Sequence, residues 1–238
     1  MLKKIIPDSI KRKIKNKLGV PDTLDSFKRL KVLGFNPKSI IDIGAYEGYW
    51  TEEMIQLFPE ANFFMAEAQS SKEIYLKKIT SKHPGKVGYT ISLLGAKDGE
   101  KIIFNEYETA SSVLAEHFET NAAQSEKTIQ TLDSLLELHK INPPEFIKLD
   151  TQGYELEVLK GSSKAITTAE IILMEVSFLD IYINVPLIKD SINFMDERGF
   201  VVYDIGSIIK RPLDSALYQA DLIFARKDSL FRTNKQWK

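Results

Sequence analysis

The chain of 238 residues contains no cysteine. That absence excludes a disulfide scaffold, thiolate metal sites, iron–sulfur clusters and a cysteine nucleophile, and it fits a reducing compartment. Excess charge is missing too. The 32 Lys and Arg residues stand against 33 Asp and Glu, for a formal net charge of −1, so no global field draws the chain to nucleic acid. No apolar run approaches the roughly 20 residues of a membrane span. The N-terminus is basic, but the apolar stretch of a secretory signal does not follow it. With 43 % hydrophobic residues, the chain has too much apolar material and too little net charge to remain disordered. Its length suits one sizeable domain with a small appendage.

The first 18 residues stand apart. Lys3, Lys4, Lys11, Arg12, Lys13, Lys15 and Lys17 face only Asp8, while Ile6, Ile10, Ile14 and Leu18 recur every four residues. This spacing predicts an amphipathic helix, capped by Asp8 or Ser9 and stopped by Gly19 and Pro21. Such a helix suits either an anionic membrane surface or a protein face. The expected location is cytoplasmic, with contact at the inner membrane surface through residues 1–18 as one alternative. A second helix is predicted over residues 22–33 and closed by Gly34. The expected organisation is a helical extension (residues 1–34), a main domain (35–228) and a loosely held tail (229–238).

From residue 39 the pattern changes. Short apolar or β-branched runs at 39–43, 62–67, 86–92, 146–149, 171–176, 200–204 and 222–225 read as strands. Helical spacing at 49–58, 71–81, 131–139, 155–160 and 186–198 alternates with them. Residues 101–105, after Asp98-Gly99, read as an extra strand in a hairpin. Alternating strands and helices give an α/β fold with a mostly parallel sheet.

Asp42, Glu67, Asp150 and Glu175 each fall at or near the carboxyl end of a predicted buried strand. Ligands of open α/β sheets bind outside those ends. A single acid there commonly caps a helix or satisfies loop N–H groups. Four converging on one crevice cost energy unless a ligand or metal uses them. The first turn, Asp42-Ile43-Gly44-Ala45-Tyr46-Glu47-Gly48, spaces its glycines as G-x-x-x-G. It is not the G-x-G-x-x-G of a pyrophosphate loop, and a pyrophosphate wants N–H donors rather than flanking carboxylates. Carboxylates suit a ligand with positive charge and hydroxyls. Glu67 ends the next strand, where an acid can accept both hydroxyls of a ribose. A cationic nucleoside fits both features, and S-adenosylmethionine is the common one.

At this point the chain resembles the FkbM family of S-adenosylmethionine-dependent methyltransferases, over about residues 35–227. The matching pieces are IIDIGAYEGYWT (40–51), FPEANFFMAEAQ (58–69), LLGAKDG (93–99), SSV (111–113), TLDSLLE (131–137), FIKLDTQGYELEVLKGS (146–162), ILMEVSF (172–178), GFVVYDI (199–205) and QADLIFARKD (219–228). IKLDTQGYE followed by ILMEV is the most specific. The family usually carries Asn at the place of Tyr46 and Glu-Pro at Glu67-Ala68; the glycines and the acid remain. The resemblance implies a Rossmann-like class I methyltransferase: a seven-stranded sheet with an antiparallel last strand and helices on both faces. It implies that Asp42, Gly44, Ala45, Tyr46 and Gly48 line the methionine part of the cofactor. Glu67 with Ala68 would serve the ribose, and Leu94, Gly95 and Ala96 would border the adenine. Asp150 would face the methyl group. Many members methylate hydroxyls of sugars, polysaccharides or natural products.

Methyl transfer from a sulfonium is an in-line displacement, served by positioning and by a base for the acceptor hydroxyl. Asp150 is the first candidate base. Lys148, two residues earlier on the same face, needs a partner in the strand interior, with Asp150, Glu155 or Glu175 as candidates; a structural ion pair explains it equally well. Glu175 is a second base, a ligand or a helix cap. A Mg²⁺ held by Asp150 and Glu175 is compatible with this pattern but not called for by it. His117, in the stretch after SSV, is an alternative base, and Tyr182, Phe178 and Phe194 form a candidate acceptor platform, with core packing the better reading for Phe194. The expected partner is a small-molecule or glycan acceptor. Two other readings stand beside the enzyme. One is a noncatalytic cofactor-binding scaffold, separated from it by turnover. The other is an NAD-dependent oxidoreductase, disfavoured by Tyr46 at the second glycine position of a G-x-G pattern.

Overall fold

The computed structural model describes residues 17–117 and 121–237. Nearly all of the predicted helix at 6–18, and with it the membrane contact expected of residues 1–18, lies outside the described residues. Helix α1 (Thr23–Val32) is capped by Asp22, whose side chain accepts the Asp25 N–H at 3.1 Å. It does not stand apart from the main domain. Phe27 and Leu30 are fully buried, and the Phe27 ring lies 4.7 Å from that of Phe146. Phe231 likewise packs 5.7 Å from Phe35. Residues on both flanks of 35–228 thus pack on the main domain.

The central sheet holds seven strands: β1 (Ser39–Ile43), β2 (Asn62–Glu67), β3 (Val87–Ile91), β7 (Phe146–Leu149), β8 (Ile171–Ser177), β9 (Phe200–Lys210) and β10 (Leu217–Arg226). Their order is β3-β2-β1-β7-β8-β10-β9. All neighbours pair in parallel except around β10, which runs antiparallel between β8 and β9. This is the class I methyltransferase architecture, with the last strand reversed. The sheet reverses its winding between β1 and β7, and ligand crevices open at such a switch point.

Burial explains the apolar runs. Every residue of β1, β7 and β8 is buried, because helices cover both faces of a parallel sheet. On one face Ile40, Phe63, Met65 and Leu173 meet α1, α2 (Tyr49–Leu57) and α3 (Glu73–Lys82). On the other, Ile41, Phe64, Ile147 and Met174 meet α4 (Leu132–Leu138), α5 (Glu155–Lys160), α6 (Ala165–Thr168) and α7 (Ile188–Glu197). Successive strand residues alternate between these two cores, as the two-residue period requires.

Two expectations are corrected. The extra strand β5 (Lys101–Glu106) exists, but it is not half of a tight hairpin. It pairs antiparallel with β6 (Ala123–Gln130) across a long connection, and β6 also carries β4 (Leu93–Leu94) to make a second, three-stranded sheet. In addition, β9 and β10 are longer than the apolar runs at 200–204 and 222–225, because their antiparallel ladder continues through register shifts beyond the core. Among the described residues no helix is long and apolar enough to cross a membrane.

Candidate active site

A cavity of about 710 Å³ opens at the carboxyl ends of β1, β2, β7 and β8. The connection between β5 and β6 covers it through residues 108–116, and Tyr218 and Gln219 of β10 complete the far wall.

The near end is built around the β1 turn. Gly44 and Ala45 both donate backbone N–H groups to the Ala66 carbonyl, at 2.9 and 3.2 Å. Gly44 has φ +71°, and a Cβ there would lie 1.8 Å from the Asp150 carbonyl oxygen; only glycine permits both the turn and the approach. Gly48, also left-handed, begins α2. Glu67 is buried at the end of β2. Its Oε2 accepts the Tyr46 N–H at 2.7 Å and its Oε1 the Gln69 N–H at 2.8 Å. Burial raises its pKa, and those two N–H bonds partly offset the shift.

Behind the turn, Asp42 accepts from the Thr51 hydroxyl at 2.7 Å and pairs with Lys148 at 3.0 Å. Lys148 Nζ also donates to the Gly44 carbonyl at 2.9 Å and lies 3.6 Å from Asp150. Burial works against the lysine's charge, but Asp42 and then Asp150 overcome it and hold the pKa above the ordinary lysine value. The partner of Lys148 is thus chiefly Asp42, which was not among the expected candidates. The pair sits under the turn, where it braces Gly44 from below.

At the far end two carboxyl groups meet. Glu175 on β8 is buried, and its Oε1 accepts from Gln219 Nε2 at 2.6 Å and Gln152 Nε2 at 2.9 Å. The same Gln152 amide donates to Asp150 Oδ1 at 3.0 Å. Burial, then the charges of Asp150, Glu155 and Asp221, push the Glu175 pKa well above the carboxylate range. That shift favours the neutral form of Glu175; the Asp150 side chain is 40 % accessible. Below them, Glu155 accepts the N–H groups of Thr151 and Gly153 at 2.7 and 3.2 Å, and burial lifts its pKa to about 6. The site of the contemplated Mg²⁺ is spanned by an amide NH₂, and no group of three or more metal-ligating residues occurs among the described residues.

Of the residues expected to line the site, Gly44, Tyr46, Glu67, Ala68, Leu94, Asp150 and Glu175 do so. Asp42, Ala45, Gly48, Gly95, Ala96 and Lys148 are not on the wall. Gly95 is instead a packing glycine, 3.0 and 3.1 Å from Ile129 and Tyr154 at its would-be Cβ. His117 is exposed and off the wall. Tyr182 lines the cavity, whereas Phe178 and Phe194 pack on the core. Sequence reading missed Gln69, Glu108, Gln152, Tyr218 and Gln219. Gln152 and Gln69 sit two residues after a recognised acid, which is a usable signal; Glu108 and Gln219 arrive from distant segments and have none.

The family model described as Methyltransferase FkbM domain matches residues 42–202, more than half of the chain. The chain belongs to the FkbM methyltransferase family. A curated relative, the hexuronic acid methyltransferase AglP of Haloferax volcanii, is 33 % identical over 57 residues. That match spans 23 % of this chain and 24 % of the relative. Among solved structures, the magnesium protoporphyrin IX methyltransferase ChlM of Synechocystis PCC 6803 aligns with a TM-score of 0.50 at 10 % identity, over 86 % of this chain and 82 % of that one. The precorrin-6y C5,15-methyltransferase of Geobacter metallireducens GS-15 aligns at 0.47 and 14 % identity, over 83 % and 85 %. The similarity to ChlM is one of fold.

The FkbM chain's residues fit S-adenosylmethionine. The cavity has the volume of a small-molecule site. Each Glu67 oxygen carries one N–H and retains an acceptor position for a ribose hydroxyl. The walls at that end carry carboxylates, which suit a cationic ligand and oppose a pyrophosphate.

Proposed function

We propose that this FkbM methyltransferase transfers a methyl group from S-adenosylmethionine to a hydroxyl of a carbohydrate or glycoconjugate. The observation that carries the reading is the Asp150–Gln152–Glu175 arrangement facing the cavity. A hydroxyl group donates one hydrogen bond and accepts others. Asp150, accessible and acceptor-only when ionised, takes the hydroxyl proton as the oxygen attacks. Glu175, whose neutral form is favoured by burial, offers an O–H donor to a sugar oxygen. Tyr218, partly exposed, gives the same wall an apolar ring with a polar edge, a combination suited to a sugar. The local similarity to a hexuronic acid methyltransferase agrees with a carbohydrate acceptor.

When bound, S-adenosylmethionine supplies an electrophilic methyl on a good leaving group. The protein's part is to grip the ribose with Glu67, keep the Gly44 turn open to the ligand, and aim the acceptor oxygen. Lys148 has no place in proton transfer on this reading. It neutralises Asp42 and fixes the turn.

Two measurements test the proposal. Calorimetry with S-adenosylhomocysteine and with NAD should give binding for the first alone; NAD binding without it would overturn the donor assignment. Methyl transfer from radiolabelled S-adenosylmethionine should then appear on uronic acid or neutral glycosides. Transfer to amines or RNA with none to glycosides would overturn the acceptor assignment.

A further inference from the structure

Six residues other than glycine hold left-handed backbone among the described residues, and three of them line the cavity: Tyr46 (φ 50°), Glu108 (φ 47°) and Gln152 (φ 54°). Such conformations are retained where surrounding contacts enforce them, often at functional sites. Gln152 is explained by the two carboxyl groups it bridges. Tyr46 and Glu108 are joined to each other.

Glu108 belongs to the connection between β5 and β6, far in sequence from the β1 turn. Its Oε2 accepts the Tyr46 hydroxyl at 2.6 Å and Lys72 Nζ at 2.9 Å. Its main-chain carbonyl accepts Gln69 Nε2 at 3.1 Å. Tyr46 and Gln69 are the two residues whose backbone N–H groups hold Glu67. One residue of the covering segment is thus fastened to both supports of the carboxylate at the end of β2. Lys72 tightens the knot. Its buried ammonium also donates to the Tyr46 hydroxyl at 2.9 Å and lies 4.1 Å from the centroid of that ring.

A surface ion pair explains this less well. Lys72 already has Glu47 at 3.4 Å, so its charge has a second partner without Glu108. An ordinary ion pair also gives no reason for the left-handed backbone at both Tyr46 and Glu108, nor for the separate bond from the Glu108 carbonyl to Gln69.

We propose that Glu108 is a positioning residue for the cofactor: it straps the β5–β6 connection across the nucleoside end of the cavity and, through Tyr46 and Gln69, fixes Glu67 in register for the ribose. This rests on the reading that the cavity takes S-adenosylmethionine. It adds residues that a local motif does not contain. Two segments that close on opposite sides of the ligand become one clasp, and the ligand leaves only when the clasp opens.

The test uses the full chain, with S-adenosylhomocysteine as the probe in stopped-flow binding and thermal unfolding of the ligand-free protein alongside. Glu108→Ala should raise the dissociation rate by about tenfold or more with little change in the association rate, since loss of closing contacts acts mainly on departure. Glu108→Gln keeps an acceptor oxygen for Tyr46 and Lys72 and should restore most of the parental residence time. Tyr46→Phe, which removes the hydroxyl's bonds to Glu108 and Lys72 and keeps the ring, should fall between them. Ligand-free melting temperatures should stay close to the parent. A parental dissociation rate in both Glu108→Ala and Tyr46→Phe would reduce Glu108 to a surface ion pair. A fall in ligand-free melting temperature with an unchanged dissociation rate would make it structural. Absence of S-adenosylhomocysteine binding by the parent would remove the donor assignment itself, and this proposal with it.

Discussion

Glu67 and Glu175 invite comparison. Both lie at or near the carboxyl ends of buried parallel strands, on either side of the β1–β7 switch point, and burial raises the pKa of both. Their supports differ in kind. Glu67 is held by two backbone N–H groups, from Tyr46 and Gln69. Glu175 is held by two side-chain amides, from Gln152 and Gln219. A backbone donor survives any substitution but proline, whereas an amide side chain is lost by one. The donor end is therefore specified by chain geometry and resists change of residue. The end proposed for the acceptor is specified instead by replaceable side chains.

If the donor end depends on chain geometry, the most damaging change there is one that adds a single methyl group. Gly44→Ala puts a Cβ against the Asp150 carbonyl in a left-handed conformation, and should cost more than about 4 kcal/mol, read as a large drop or loss of the urea midpoint. A near-parental midpoint would break the comparison at its base. On the acceptor side, Asp150→Asn keeps shape and loses the base. Turnover should fall on the order of 10²–10⁴-fold, with S-adenosylhomocysteine affinity nearly unchanged by calorimetry. Turnover close to the parent's would move the base to Glu175.

Glu67→Ala leaves ribose hydroxyls unpaired and should weaken S-adenosylhomocysteine binding by roughly 1–3 kcal/mol; equal affinities would take Glu67 out of the site. Glu155 sharpens the contrast, because it lies on the acceptor side yet accepts backbone N–H groups. Its pKa is lifted to about 6 from 4.5, so the folded protein binds this proton more tightly than the unfolded chain. The stability it contributes is complete below the unfolded value and is lost as pH rises through about 6. Parent and Glu155→Gln midpoints compared at pH 4.5 and pH 7 should differ in slope by on the order of 1–2 kcal/mol, with the variant flatter. Parallel slopes would mean that Glu155 titrates alike in both states.

The same contrast decides what was legible in the sequence. Strands β1, β7 and β8 announce themselves because burial on both faces forces apolar runs such as SIIDI and FIKL. The Gly44 turn and Glu67 are legible because backbone geometry leaves a local mark. By comparison, β6 reads AQSEKTIQ and buries only Ile129. Its strand character comes from pairing with β5, which no local pattern encodes. Lys148 shows the limit from the other side. Its place in β7 predicts that it needs a carboxylate, but the choice of Asp42 follows from the parallel register that sets Asp42 beside it. Glu108 and Gln219 reach the cavity only through tertiary structure.

One consequence follows from the position of β10. Among the described strands it comes last in the sequence, yet it lies inside the sheet, between β8 and β9. Protein chains emerge from the ribosome N-terminus first, and early segments begin to fold before later ones exist. The strands β1 and β2, which lead to Gly44 and Glu67, are therefore synthesised early. Glu175 receives the Gln219 amide only when the chain has grown to β10 and that strand has slotted into its gap. In a growing polypeptide the Glu175 end of the cavity is therefore completed only after β10 has joined the sheet.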